Sequence, residues 1–281
     1  PTHINWLRFI TLLSARIFTE TIEPLTYENR KNAFIVDDSI FERKGSTKVE
    51  LLANVFDHST HRYTHGFRML TVGWSDGVTF MPVNSCLLSS ENAENRVNIT
   101  KHINPNSNGA KAREMSIKKG TDVVSDLISE ALKAGIHANY VLFDSWFSSP
   151  KVIRSMKDMN LDVVAMVKKS SKIHYRFQGE MRSCKDIFQK SKHRPGKSRY
   201  LLSTSVEICG KDEEAAPIPA RLVFVRSRCK RKDYLVLLST DTSLTEDEII
   251  QLYGKRWDIE VFQDLQICFE SDKRVSISVL R

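Results

Sequence analysis

The sequence has no run of 18 or more apolar residues, so no membrane-spanning helix is expected and no membrane partner. It has no secretory leader pattern. Its five cysteines, Cys86, Cys184, Cys209, Cys229 and Cys268, are odd in number and scattered, without a Cys-x-x-Cys pair. That argues against a disulfide framework and a zinc site, and fits a reducing compartment, here the cytoplasm. No internal repeat is visible. The chain opens on Pro1 rather than Met, which reads as a piece of a longer protein.

What is present is globular in character. A chain of 281 residues can bury one large core or two smaller ones. Apolar and charged contents of 41% and 27% are ordinary for folded domains. Forty-two Lys and Arg against 34 Asp and Glu leave a net charge of +8. A basic surface favours polyanions such as nucleic acid, although many proteins carry such an excess with no such partner.

Apolar residues at Ile4, Leu7, Ile10, Leu13 and Ile17 predict an amphipathic helix over residues 3–18, broken at Glu23-Pro24. Ala33 to Val36 reads as a buried strand ended by Asp37-Asp38-Ser39. Val49 to Phe56, Gly66 to Trp74 and Val78 to Leu88 read as further strands, the last two joined at Ser75-Asp76-Gly77. His58, His61 and His65 fall in a polar turn and match no common zinc spacing. The polar stretch 89–120 reads as a long loop.

Thr121 is expected to cap a helix through Lys133 that Gly135 stops. Tyr140 to Phe143 is a strand ending at Asp144, and Ser149-Pro150 opens a helix to about Met159. Leu161 to Val167 is the next strand, which makes a βαβ order. From Lys168 and Lys169 onward basic residues crowd in, with Tyr175, Phe177, Phe188 and Tyr200 interleaved. Arg221 to Arg226 and Tyr234 to Ser239 read as strands joined by a basic turn containing Arg228 and Lys230. Such a segment suits phosphate contacts and base stacking. It equally suits a lysine-rich edge that protects strands, and both readings stay open.

The last block carries the chemistry. Thr245 and Glu248 have capping-box spacing, and Ile249, Leu252, Ile259, Phe262 and Leu265 recur near helical period. Arg256 and Glu260 are i,i+4 neighbours, and Tyr253 shares their face. Alone, this is an exposed ion pair. Two acids at strand ends, Asp37 and Asp144, change that reading. If the first strand lies beside Tyr140–Phe143 in a mixed sheet, the two carboxylates sit side by side and the late helix brings Glu260. Three converging carboxylates repel unless cations neutralise them, and hard oxygen donors suit Mg²⁺ or Mn²⁺.

With these residues the chain resembles the DDE transposases of bacterial insertion sequences, in the branch marked by a Y-x2-R-x3-E-x6-K signature. Tyr253, Arg256 and Glu260 match it, and the stretches Phe34–Ser39 and Val141–Phe147 resemble the family's two Asp strands. The resemblance implies an α/β fold. It would be an RNase H-like mixed sheet flanked by helices, with a β-rich insertion between the second Asp and the catalytic Glu. The division would be an N-terminal helical segment (1–31), a first core part (32–168), a basic insertion (169–240) and a C-terminal core helix (241–281). Asp37, Asp144 and Glu260 would be the catalytic acids and the ligands of two Mg²⁺ ions. Tyr253 and Arg256 would contact a phosphate, and Lys168, Lys169, Arg228 and Lys230 would contact DNA.

The implied reaction is nicking at the ends of an element, then attack of the freed 3′-hydroxyl on target DNA, by a homodimer that pairs two ends. The family's Asp-x-Thr/Ser pattern selects Asp37, with Ser39 in the Thr position. Asp38 would face the other side of the strand. Ile267 stands where the signature has lysine, and the sequence beyond Phe262 loses the family pattern. That reads as a truncated copy that binds metal but transfers strands poorly. The competing readings are another RNase H-like nuclease and an inactive DNA-binding remnant or repressor.

Overall fold

The computed structural model describes residues 3–27, 30–46, 48–57, 61–97, 103–195, 198–210, 215–227 and 233–263. His58, the basic turn with Arg228 and Lys230, and the expected positions Leu265 and Ile267 lie outside the described residues. The fold is mixed α/β. The chain divides into two units, one of residues 1–28, 36–74 and 81–137, the other of residues 29–35, 75–80 and 138–281. Strand β1 (Ala33–Glu42) contributes its first three residues to the second unit and the rest to the first.

In the first unit, the 14-residue strand β3 (Arg62–Ser75) pairs with β1, with β2 (Ala53–Asp57) and with β4 (Phe80–Leu88). Helix α1 (Trp6–Ile17) starts at an Asn5 cap and continues through a π turn, Phe18–Ile22, and a 3-10 turn, Glu23–Leu25. The expected apolar stripe does not face the core: Ile4, Ile10, Leu13 and Ile17 are exposed, while Thr11, Ser14, Ala15 and Phe18 are buried. The reason is local chemistry. Ser14 Oγ donates to Val83 O (2.9 Å), Asn84 Nδ2 donates to Thr11 Oγ1 (3.2 Å), and Phe18 packs edge-on against buried Trp74. Short side chains allow the close approach that long ones would block.

Stretch 89–120 is not a loop throughout. Ser107 caps α2 (Asn108–Ile117), accepting from Ala110 N at 3.2 Å. This helix has almost no apolar stripe for periodicity to reveal, and Arg113 Nε reaches Glu50 at 2.9 Å. Helix α3 (Gly120–Lys133) starts two residues earlier than expected, with Lys119 and not Thr121 at the N-cap position. Asp122 in its first turn suits the helix dipole instead.

The second unit is built on one sheet, in the order β1, β5 (Tyr140–Phe143), β6 (Asp162–Met166), β11 (Tyr234–Ser239), β10 (Ile218–Arg226), β9 (Tyr200–Ile208), β7 (His174–Phe177), β8 (Glu180–Ser183). β1, β5 and β6 are parallel, and Ser149 caps the crossover helix α4 (Pro150–Asp158). β11 pairs antiparallel with β6, so the β-rich segment continues this sheet. The fully apolar runs Ala33–Val36 and Val141–Phe143 are 0% exposed, as expected of strands covered on both faces. β1 does not end at Asp37, however: it runs on to Glu42.

Helix α5 (Cys184–Lys190) leaves β8 through a capping box of Ser183 and Asp186. Helix α6 (Glu246–Gly254) opens on the expected box, with Thr245 N donating to Glu248 Oε2 at 2.9 Å. It does not run unbroken through Phe262. The chain turns at Lys255–Arg256 and is helical again over 257–263. Among the described residues no helix is long and apolar enough to cross a membrane.

Two consequences can be measured. A Cβ at Gly66 would meet Phe41 O at 2.5 Å, backbone against backbone. Gly66→Ala is expected to lower unfolding stability by about 1–3 kcal/mol, read from chemical denaturation. Glu248 has its pKa lowered to about 2 by the Lys31 ammonium, with the Thr245 backbone and hydroxyl adding to it. A depressed carboxylate pKa contributes stability above its ordinary value of 4.5, lost as pH falls toward about 2. Glu248→Gln should therefore narrow the stability difference between pH 6 and pH 3. An unchanged difference would remove the assignment.

Candidate active site

Asp144 is the first residue past β5. Its Oδ1 accepts from Trp146 N at 2.8 Å, and Phe147 N donates to Asp144 O at 3.3 Å. Phe147 is buried against Phe143. The turn is thus pinned from below, the carboxylate is held at the strand end, and the Trp146 side chain is turned outward at 45% exposure. Lys168 follows the parallel neighbour β6 and holds its ammonium 4.2 Å over the Trp146 ring.

The turn at Lys255 delivers the other members. Lys255 Nζ donates to Lys31 O (2.7 Å) and Asp76 O (2.9 Å). Burial pulls this ammonium's pKa down, and the charges of Asp76 and Asp258 oppose that. Asp76 is itself held: Oδ2 accepts from Arg30 Nη1 at 2.6 Å, and Oδ1 accepts from Val78 N and Thr79 N. Ser75 Oγ donates to Asp258 Oδ2 at 2.7 Å. Gly77 has φ +89°, and a Cβ there would collide with the Lys255 stem at 2.5 Å. The 75–80 turn therefore grips the break in the helix on both sides of Arg256.

Arg256 is buried, and its Nη2 donates to Glu260 Oε1 at 2.6 Å. Its guanidinium carbon lies 5.3 Å from the Trp257 ring and 5.8 Å from the Tyr253 ring. Burial pushes the Tyr253 phenol above its ordinary pKa, the charges of Asp144 and Glu260 push the same way, and Arg256 opposes them.

In the first unit, Asp37 and Asp38 lie within β1, and alternation puts their side chains on opposite faces. Asp38 Oδ2 accepts from Arg68 Nε at 2.8 Å and from Arg68 Nη2. Lys169 Nζ donates to Asp233 Oδ1 (2.5 Å) and Tyr234 O (2.9 Å). Among the described residues no group of three or more His, Cys, Asp or Glu side chains is placed to hold a metal ion. In donor chemistry alone, the carboxylates of Asp144 and Glu260 are hard oxygen donors of the kind Mg²⁺ and Mn²⁺ take.

Sequence reasoning missed Lys255 and Asp76. The partners of Lys255 are 224 and 179 residues away in the chain, so no local pattern could reveal them. The site's electrostatics can be tested directly. Glu260→Gln should lower the ionisation midpoint of the Tyr253 phenol and Arg256→Gln should raise it. The readout is a ¹⁹F-tyrosine pH titration, with the Tyr253 signal assigned by its loss in Tyr253→Phe.

Comparisons with known proteins place the chain more broadly. No curated protein matches it. Among solved structures it is similar to the piggyBac transposase in a synaptic complex with hairpin DNA, at 14% identity and a TM-score of 0.45. That likeness covers 83% of this chain and 40% of the other, so the chain spans well under half of that transposase. The family model of the DDE superfamily endonucleases matches residues 4–217. That stretch takes in Asp37 and Asp144 and ends before the Tyr253–Glu260 block. It is well over half of the 281 residues, and the chain belongs to the DDE superfamily endonucleases.

Proposed function

We propose that this chain is catalytic machinery of a DNA transposase of the insertion-sequence type, with an RNase H-like core. It would cut phosphodiester bonds at the ends of an element and join the freed 3′-hydroxyl to target DNA, working as a homodimer that pairs two ends. The observation that carries this reading, beside the family, is that the buried Arg256 donates to Glu260 Oε1 at 2.6 Å and sets its guanidinium carbon 5.8 Å from the Tyr253 ring.

Asp37, Asp144 and Glu260 are the proposed catalytic acids. The parallel register of β1 on β5 pairs Ile35 with Leu142, and each acid follows its strand's member of that pair by two residues. Asp38, tied to Arg68, is assigned to structure. A divalent ion of the Mg²⁺ or Mn²⁺ class, held by these three carboxylates, would supply Lewis-acid stabilisation of the phosphodiester oxygens.

The chain's own groups do the rest. Arg256 orients Glu260 through its 2.6 Å contact, and its guanidinium puts positive charge of the kind that pairs with phosphate beside that carboxylate. A phenol is protonated at neutral pH, and burial pushes the Tyr253 pKa further up, so its hydroxyl can donate to the same group. Lys168 holds its positive charge over the Trp146 ring, two residues past Asp144 in the chain.

The test is Mn²⁺-dependent nicking of DNA carrying the element's ends. Asp37→Ala, Asp144→Ala and Glu260→Ala should each reduce the rate by at least roughly 10²-fold, whereas Asp38→Ala should cost stability and leave chemistry. Calorimetry should show Mn²⁺ binding in the wild type and none in the triple variant. If only Asp38→Ala abolishes nicking, the first acid is misassigned. If wild type and triple variant bind Mn²⁺ alike, the three-acid reading fails.

A further inference from the structure

The β-rich part of the second unit carries an aromatic stack with no role in the site just described. His193 stacks on Phe188 with ring centroids 3.9 Å apart and planes 24° apart. Phe188 stacks on Tyr234 at 4.1 Å and 25°. Lys169 holds its ammonium 4.8 Å from the Tyr234 ring. Aromatic side chains in protein interiors usually meet offset or edge-on, with centroids about 4.5–7 Å apart. The other ring pairs among the described residues do so, at 5.1–6.4 Å and tilted or edge-on. The ladder departs from that habit toward the spacing and parallelism of stacked nucleobases.

Its outer rung is built and not incidental. His193 is exposed, yet its Nε2 lies 2.6 Å from Phe188 O, which fixes the imidazole plane over the Phe188 ring. Phe188 is braced from beneath by Phe224 at 5.3 Å. Cations flank the ladder: Lys192 precedes His193 in the chain and is exposed, Arg194 follows it with its guanidinium 4.5 Å over the Tyr200 ring, and Arg226 stands across from Tyr234 in the β10–β11 register. Asp233 is the acid nearest in the chain, and it is engaged with Lys169.

We propose that this ladder is a stacking platform for single-stranded DNA. An unpaired base would seat on His193, with a flanking phosphate on Lys192. A flat ring added to a parallel stack suits every base, because every base has a π face. The fixed imidazole loses little freedom on binding. The choice of nucleic acid rests on the transposase reading; the site rests on the ladder.

The test is fluorescence anisotropy of a labelled 20-nucleotide single strand and of the matching duplex, at fixed salt, with the full chain. His193→Ala should weaken single-strand binding roughly tenfold and leave duplex binding unchanged. His193→Phe, which keeps a ring, should retain single-strand affinity. A 2-aminopurine strand should be quenched by the wild type and not by His193→Ala. Equal single-strand affinity for wild type and His193→Ala overturns the platform while leaving the DNA reading intact. Equal weakening for single strand and duplex also overturns it, because charge or folding would then be the cause. Wild-type binding to neither DNA overturns both readings together.

Discussion

The parallel pairing of β1 with β5 is the constraint on which the second unit depends. Ala33, Phe34, Ile35, Val141, Leu142 and Phe143 have no exposed surface. Runs that are apolar on both faces are stable only when covered on both sides. That forces them to the middle of the sheet, with β6 next and α4 crossing over. The polar residues at the ends of such runs cannot be buried without partners. Asp144 therefore falls at the strand end, where an Asx turn and the buried Phe147 hold it.

A second constraint acts on the late helix. A lysine ammonium that loses water must recover its hydrogen bonds. Lys255 does so on two backbone carbonyls from distant segments, and Asp76 and Ser75 brace the same turn. The helix breaks there and resumes, and Arg256 is buried with Glu260 on its guanidinium. An i,i+4 pair on an exposed helix contributes little. The burial of Arg256 and its place beside the Tyr253 and Trp257 rings separate this pair from that ordinary case.

The basic segment between β6 and α6 extends the sheet through β11. Some of its charge is spent internally, as Lys169 on Asp233 and Arg221 on the Leu244 and Thr242 carbonyls show. Lys192, exposed beside His193, is a cation of this segment that faces solvent where a polyanion can meet it. Net charge alone could not make that distinction.

Much of this was legible in the sequence. The apolar runs at 33–36 and 140–143, the βαβ order, the Ser149-Pro150 start and the Thr245/Glu248 capping box rest on local chemistry, and local chemistry delivered them. So did the pairing of Arg256 with Glu260, since helical spacing fixes it. Other features depend on partners far along the chain. The outward apolar face of α1 follows from Thr11 and Ser14 meeting β4, and the continuation of β1 past Asp37 follows from β3. The engagement of Asp38 by Arg68, the grip on Lys255 and the His193–Phe188–Tyr234 ladder join residues that no sequence period relates. The sequence by itself determined which residues are acids, rings and cations, and which short segments are strands or helices. Tertiary structure alone decided which of them meet, because burial and hydrogen bonding are settled between segments and not within them.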